Sequence, residues 1–135
     1  MPLNPYLLFN GNAREAALYY AKVFGTETPH FMTYGEMDPN CPPAVADGIM
    51  HTFVTVAGTK LMMSDDFGES YKQGSNFTLA LVHSDERMMR DAFAQLADGG
   101  TVELELQATP WSKCYGQVVD KFGVKWQFSH EEPQN

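Results

Sequence analysis

Two side chains in this sequence could work together in proton transfer, His51 and Asp65. A histidine changes its charge near neutral pH, and an acid beside it can orient the ring as a general base. The structural alternative is a histidine hydrogen-bonded between paired strands and an aspartate that caps a turn. Both residues are therefore candidate catalytic groups, and the sequence leaves their role open.

Two aromatic residues with polar edges, Trp111 and Tyr115, lie close together in a polar stretch. Side chains of this kind suit the wall of a small-molecule pocket, although they also serve in cores and interfaces. Glu103 and Glu105 alternate with apolar residues, which is typical of the solvated face of a strand. We therefore expect ligand contacts from the aromatic pair and no paired-carboxylate chemistry from the glutamates.

Other kinds of site have little support. Cys41 and Cys114 are far apart, in contexts unlike a zinc-binding motif, which favours two unpaired thiols in a reducing compartment. Cys114 has no evident histidine partner to activate it as a nucleophile. Gly99-Gly100 follows a predicted helix rather than preceding one, so it does not form a phosphate-binding loop.

The composition excludes several classes of partner. The 135 residues include 9 basic and 17 acidic side chains, for a formal net charge of −8. The electrostatic footprint of nucleic-acid binding is therefore missing, and an anionic membrane surface would repel the chain. No apolar run approaches the roughly 18 residues of a membrane span. Residues 1–5 lack the basic and apolar regions of an export signal, so we expect a cytoplasmic protein.

The first half of the chain has the pattern of a β-α-β-β-β unit. The predicted elements are a strand at 6–9, a helix at 13–24, an irregular strand at 26–34 and a hairpin at 50–56 and 60–64. Asn12 is the expected N-cap of the helix, and Gly25 is the glycine that ends it. The proline-containing stretch 35–48 has no periodicity and is predicted to be a long loop.

The same order of elements repeats in the second half. The predicted elements are a strand at 76–83, a helix between Ser84 or Asp85 and Gly99, and strands at 101–107, 114–119 and 124–129. A loop through Pro110-Trp111 connects two of these strands, and Asp120 opens a tight turn between the last two.

The two halves also match in detail around their last hairpins. Gly58-x-Lys60-x-x-x-Ser64 and Gly123-x-Lys125-x-x-x-Ser129 have the same residues at the same spacing. Such a repeat indicates one supersecondary unit used twice. We therefore predict an α+β fold of two βαβββ modules in a single domain. Its predicted parts are module one at 1–66, a linker at 67–75, module two at 76–130 and a polar tail at 131–135.

Three motifs extend the comparison to a family. They are Asn4-Pro-Tyr-Leu-Leu-Phe-Asn-Gly-Asn12, Ile49-Met-His51 with Leu61-Met-Met-Ser-Asp65, and Thr109-Pro-Trp-Ser112 with Asp120-Lys-Phe-Gly-Val-Lys-Trp126. With these motifs the chain resembles the PhnB-like branch of the vicinal-oxygen-chelate superfamily, which includes glyoxalases, bleomycin-resistance proteins and extradiol dioxygenases. The resemblance implies curved mixed sheets with helices outside, a concave cavity enclosed by the two modules, and a homodimer.

The resemblance also implies where a ligand would bind. Together with strand alternation, it names the residues expected to contact a small molecule, which are Tyr6, His51, Phe53, Ser64, Trp111, Tyr115 and Gln127.

Enzymes of the superfamily hold a divalent metal with residues of the first and last strands of each module. Here those positions fall at Pro5 or Tyr6, at Met62, at Phe77 or Thr78, and at Gln127. Of these positions, at most Gln127 could ligate a metal, and an amide oxygen alone is a weak ligand. We therefore expect no metal site at these positions and no cofactor.

The function expected from the sequence is binding of a small molecule without a complete metal site, with no activity assigned. The alternative is a metal-dependent enzyme of glyoxalase or dioxygenase type that uses His51 with atypical ligands. Relatives in this branch are also described as 3-demethylubiquinone 3-methyltransferase-like. The chain lacks the glycine-rich loop that binds S-adenosylmethionine, so we regard that description as inherited nomenclature.

Overall fold

The computed structural model describes residues 3–132. The chain divides into two compact units, Met1–Lys72 and Gln73–Asn135, and each has its own four-stranded mixed sheet. The N-terminal segment 1–5 and the predicted tail 131–135 extend in part outside the described residues. Within residues 3–132, every helix is too short or too polar to cross a membrane.

The first unit has the predicted order of elements. They are β1 (Tyr6–Phe9), α1 (Ala13–Phe24), β2 (Met32–Thr33), α2 (Tyr34–Met37), a 3₁₀ turn (Pro43–Val45), β3 (Ile49–Val56) and β4 (Thr59–Asp65). The strand order across the sheet is β1-β4-β3-β2, with β1 parallel to β4 and the other pairs antiparallel. The predicted hairpin is confirmed, and its turn residues Ala57 and Gly58 both have positive φ angles.

Helix α1 packs against the sheet through a stripe of mostly small residues. The buried side chains are Ala13, Ala16, Ala17, Tyr20, Ala21 and Val23. Alanines let the helix approach the strands closely, and the fully buried Tyr20 is the largest side chain of the stripe. The helix ends where predicted, because Gly25 adopts the left-handed conformation with φ at 63°.

The start of α1 is not capped as predicted. Asn12 makes no side-chain capping hydrogen bond. Instead, the Asp65 carboxylate at the end of β4 accepts hydrogen bonds from the backbone N–H groups of Gly11 and Ala13, both at 2.9 Å. Its other oxygen accepts the N–H of Ile49 at 2.8 Å. One buried carboxylate therefore joins the end of β4, the start of α1 and the start of β3.

The segment between β2 and β3 is more ordered than the sequence predicts. The irregular strand expected at 26–34 is reduced to the two residues of β2, an edge strand with a register shift. The predicted loop 35–48 contains part of α2, capped by Thr33, and the 3₁₀ turn. Tyr34 anchors this segment, since its hydroxyl donates a 2.6 Å hydrogen bond to the backbone carbonyl of Asp65.

The second unit repeats this topology. Its elements are β5 (Leu79–His83), α3 (Glu86–Ala97), β6 (Thr101–Thr109), β7 (Ser112–Val119) and β8 (Lys125–His130). The strand order β5-β8-β7-β6 corresponds position by position to that of the first unit, and β5 is parallel to β8. Asp85 caps α3 by accepting the Met88 N–H at 3.1 Å. The predicted fold of two βαβββ modules is confirmed.

Two predicted boundaries in this unit are wrong. The strand expected at 76–83 begins only at Leu79. The loop expected through Pro110-Trp111 is a two-residue hairpin turn, because Thr109 and Ser112 pair directly and the Thr109 hydroxyl accepts the Ser112 N–H at 3.1 Å. Strands β6 and β7 are longer than predicted as a result.

Asp120 organises the turn between β7 and β8, as predicted. One carboxylate oxygen accepts the N–H groups of Phe122 at 2.8 Å and Val124 at 3.1 Å. The other accepts the Trp126 indole N–H at 2.9 Å, which holds that buried ring in place.

Replacing Asp65 tests its role in joining three elements. We expect Asp65→Ala to lower the free energy of unfolding by about 3 kcal/mol, because three backbone donors lose a charged acceptor. Asp65→Asn retains one carbonyl oxygen and should lose less. Urea unfolding measures both changes. The controls are Asn12→Ala and Asp66→Ala, each expected to cost under about 1 kcal/mol, and a cost for Asn12→Ala equal to that for Asp65→Ala would contradict this account.

Tyr34 provides a test at alkaline pH. Burial, and then the nearby carboxylates of Asp65 and Asp66, raise the pKa of Tyr34 above its ordinary value. Because the pKa of Tyr34 is raised in the folded state, its neutral hydroxyl contributes to the free energy of unfolding. This contribution is complete below the ordinary tyrosine pKa of about 10, and it is lost as the pH rises through the folded-state pKa. Ultraviolet difference titration should show one late phenolate transition that is missing in Tyr34→Phe. Unfolding curves at pH 8 and pH 11 should converge for the two proteins at the higher pH.

Candidate functional site

In the first unit, strand alternation places the predicted ligand-contacting residues on the sheet face opposite α1. Tyr6 on β1 and Phe53 on β3 both pair with Met62 of β4, so the three side chains form one row across this face. His51 lies two residues before Phe53, on the same side of β3. Tyr6 and Phe53 are exposed, whereas Ser64 is buried.

Tyr6 and His51 are in direct contact. The Tyr6 hydroxyl and His51 Nδ1 are 3.0 Å apart, and the centres of the two rings are separated by 5.7 Å. The His51 ring is also 6.4 Å from the Phe53 ring, and Lys60 Nζ lies 4.7 Å from the Phe53 ring centre. This aromatic cluster with a cation at its edge could contact a planar or anionic group.

Asp65 does not support the interpretation of a catalytic acid that orients His51. The alternation of β4 directs Asp65 to the buried side, where it pairs in register with Phe9. Both of its oxygens accept backbone hydrogen bonds, and His51 Nδ1 has Tyr6 as its partner. The turn-capping alternative describes Asp65 better, and its carboxylate has a structural role.

The second unit contains a cavity of about 300 Å³ on its sheet. The residues that line it are Ser75, Asn76, Phe77, Thr78, Glu103, Gln117, Lys125, Trp126 and Gln127. Gln127 is the only member of this set that the sequence predicted to contact a ligand. Gln117 lies directly opposite it on β7, and Lys125 lies two residues before it on β8.

A tyrosine hydroxyl connects the two glutamines. Gln117 Nε2 donates to the Tyr115 hydroxyl at 3.1 Å, and that hydroxyl donates to Gln127 Oε1 at 3.2 Å. Trp111 packs edge-on against Tyr115, with the ring centres 5.4 Å apart and an interplanar angle of 78°. Trp111 is 68% exposed in the hairpin turn. Neither aromatic residue lines the cavity, but Tyr115 orients two residues that do.

The sequence assigned Glu103 to a solvated strand face, and the structure adds that this exposed side chain borders the cavity. Strand β6 is also irregular at this point. Val102 pairs with Val118, yet Leu104 pairs with Gln117, so the register shifts at Glu103. A bulge of this kind depends on the neighbouring strand and leaves no local signal in the sequence.

Both cysteines are free, as predicted. Burial raises the pKa of the Cys114 thiol, so the reactive thiolate is disfavoured. Its backbone N–H donates to the Ser112 hydroxyl at 3.2 Å, inside the apolar layer between β7 and α3. Cys114 is therefore a core residue.

The duplicated βαβββ topology is that of the vicinal-oxygen-chelate class, and sequence comparison identifies the branch. A sequence model described as 3-demethylubiquinone-9 3-methyltransferase matches residues 2–129. The Escherichia coli K12 protein YjdN is 37% identical over 136 residues, which cover 93% of this chain and 92% of YjdN. The chain therefore belongs to the family that this model describes, and it has the fold of the vicinal-oxygen-chelate proteins.

Solved structures agree with this assignment. Protein PA1353 from Pseudomonas aeruginosa has a TM-score of 0.84 and 32% identity, covering 98% of this chain and 99% of its own. A PhnB protein from Bacillus cereus has a TM-score of 0.76 and 24% identity, covering 97% and 100% of the two chains. The fosfomycin resistance protein FosX from Listeria monocytogenes, at 11% identity and a TM-score of 0.63, shares the fold over 96% of this chain and 91% of its own.

The residues present do not fit the metal site of the superfamily. Among residues 3–132, no three His, Cys, Asp or Glu side chains lie together in a group that could hold a metal ion. In the first unit, Tyr6 and Met62 face each other across the parallel strands. In the second, the residue opposite Gln127 is Ala80, while Phe77 and Thr78, the positions expected from the sequence, precede the strand.

Removing the Tyr115 hydroxyl tests whether it orients the two glutamines. In Tyr115→Phe, the Gln117 and Gln127 amides lose their shared partner, so their side-chain NH₂ signals should shift and narrow in ¹⁵N NMR spectra. The free energy of unfolding should fall by about 1 kcal/mol or less, because the hydroxyl is only partly buried. Tyr71→Phe serves as the control. Unchanged glutamine signals in Tyr115→Phe would rule out the connection.

Proposed function

We propose that this protein binds a small polar molecule in the cavity of its second unit. The observation that carries the proposal is the pair of glutamines at the cavity, whose amides are fixed in opposite senses by one tyrosine hydroxyl. Small-molecule sites combine an apolar wall with a few oriented polar groups. Here Phe77 supplies apolar surface beside the amides.

The size of the cavity supports the same proposal. A volume of about 300 Å³ lies at the lower end of the range typical of ligand sites, which suits a metabolite rather than a polymer. In the first unit, the exposed cluster around Tyr6, His51 and Phe53 is proposed as a second ligand-contacting surface, with the Tyr6–His51 hydrogen bond holding the imidazole in one orientation.

Methyl transfer is not the function that the geometry supports. In S-adenosylmethionine-dependent enzymes with a parallel sheet, a glycine-rich loop after the first strand offers free backbone N–H groups to the cofactor. At the corresponding place here, the N–H groups of Gly11 and Ala13 are already bound by the Asp65 carboxylate. The metal-dependent alternative through His51 has no observation in its favour, since the residues around it do not fit a metal.

The proposal extends to assembly and location. The family resemblance supports a homodimer, and two free cysteines suit a reducing cytoplasm. Sedimentation equilibrium gives the assembly state directly.

Ligand screening of the intact chain tests the binding proposal. A broad panel of polar metabolites should contain compounds that shift the Gln117 and Gln127 side-chain NH₂ signals in ¹⁵N NMR spectra. Gln127→Leu should weaken the binding of such a compound about tenfold, because the hydrogen bond from a half-buried amide is lost. Gln107→Leu, at an exposed position of β6 away from the cavity, should leave the affinity unchanged.

A panel in which no compound moves these signals would count against the site. Equal losses of affinity in Gln127→Leu and Gln107→Leu would place the binding elsewhere on the protein.

A further inference from the structure

We propose that the molecule bound at this cavity is a small zwitterion, which carries both a carboxylate and an ammonium group. The inference rests on the proposed binding function and adds the chemical class of the ligand. It follows from two independent features of the cavity, its opposite charges and the directions of its amides.

The cavity has one charge of each sign. Lys125 and Glu103 both line it. Among the described residues 3–132, neither Lys125 nor Glu103 takes part in an ion pair, so neither cavity charge is neutralised by a protein partner. Lys125 and Glu103 are therefore both available to a ligand. A ligand with a single charge would satisfy one of them and face repulsion from the other.

The two glutamine amides offer opposite groups to a ligand, one a donor and the other an acceptor, just as the two charged side chains have opposite signs. A tyrosine hydroxyl has one proton, so it donates to one amide and accepts from the other. Because Tyr115 donates to Gln127 Oε1, Gln127 keeps its Nε2 hydrogens for a ligand. Because Gln117 donates its Nε2 to Tyr115, it keeps Oε1 as an acceptor.

The donors and acceptors lie on different strands. Lys125 and Gln127 are alternate residues of β8 on one sheet face, and both offer N–H donors. Gln117 on β7 lies opposite Gln127. Glu103 on β6 comes directly before Leu104, the residue that pairs with Gln117, so the acceptors Glu103 and Gln117 lie close together. A carboxylate is expected above β8, and an ammonium group toward β6 and β7. The donors on β8 and the acceptors on β6 and β7 therefore match the two charged groups of a zwitterion.

Titration of the ¹⁵N-labelled chain with amino acids tests this inference. The probes are glycine, β-alanine, γ-aminobutyrate, leucine and phenylalanine, which vary the spacing of the charges and the apolar part. At least one should shift the Gln117 and Gln127 side-chain signals. It should bind about tenfold more tightly than its N-acetyl and its carboxamide derivatives, each of which lacks one charged contact.

Two variants separate the charges. Lys125→Met should weaken the zwitterion about tenfold and leave the carboxamide derivative nearly unaffected. Glu103→Gln should weaken the zwitterion by a similar factor and leave the N-acetyl derivative unaffected or bound more tightly. Glu105→Gln, on the same strand but not at the cavity, is the matched control and should change neither affinity.

The outcomes separate this inference from the proposed function. If an uncharged or singly charged compound shifts the two glutamines and no amino acid does, the zwitterion is excluded and the binding function remains. If no compound of either kind shifts them, both are excluded. Amino-acid binding that is insensitive to Lys125→Met and Glu103→Gln would also overturn the inference.

Discussion

The buried carboxylate of Asp65 is the interaction on which the first unit depends. Strand β4, helix α1 and strand β3 each present a backbone end that needs a partner, and a buried N–H without one is costly. Asp65 belongs to one of these elements and accepts hydrogen bonds from the other two. In doing so it fixes the start of β3, the strand that carries His51. Asp120 has a comparable local role in the second unit, where it holds a turn and the Trp126 ring.

In each sheet, strand alternation places core residues on one face and more exposed residues on the other. Residues that point to the helix are buried and apolar, while the next residue along each strand is free to be polar. On β8, Trp126 and Phe128 belong to the core, whereas the alternate residues Lys125 and Gln127 line the cavity. The polar residues can therefore be exchanged during evolution with little effect on the core. This arrangement lets one duplicated scaffold serve different ligands.

The residues of this chain do not match the chemistry that the description of its family suggests. The family is described by a methyltransferase name and its superfamily contains metal enzymes, yet the positions that would support either chemistry hold other residues. Tyr6 pairs in register with Met62 across the parallel strands, and Ala80 pairs with Gln127. At the start of α1, the backbone donors are used within the fold. The cavity of the second unit is lined instead by two oriented amides and two charged side chains.

The sequence by itself determined the order of elements, the internal repeat and the sheet face on which His51 and Gln127 lie, because these follow from side-chain periodicity within a few residues. Only the tertiary structure decided that Asp65 rather than Asn12 caps α1, since its partner Gly11 is far away in sequence. Likewise, the register shift at Glu103, beside the cavity, depends on how β6 pairs with β7. Local patterns specify which way a side chain points. Contacts between distant segments specify which groups meet.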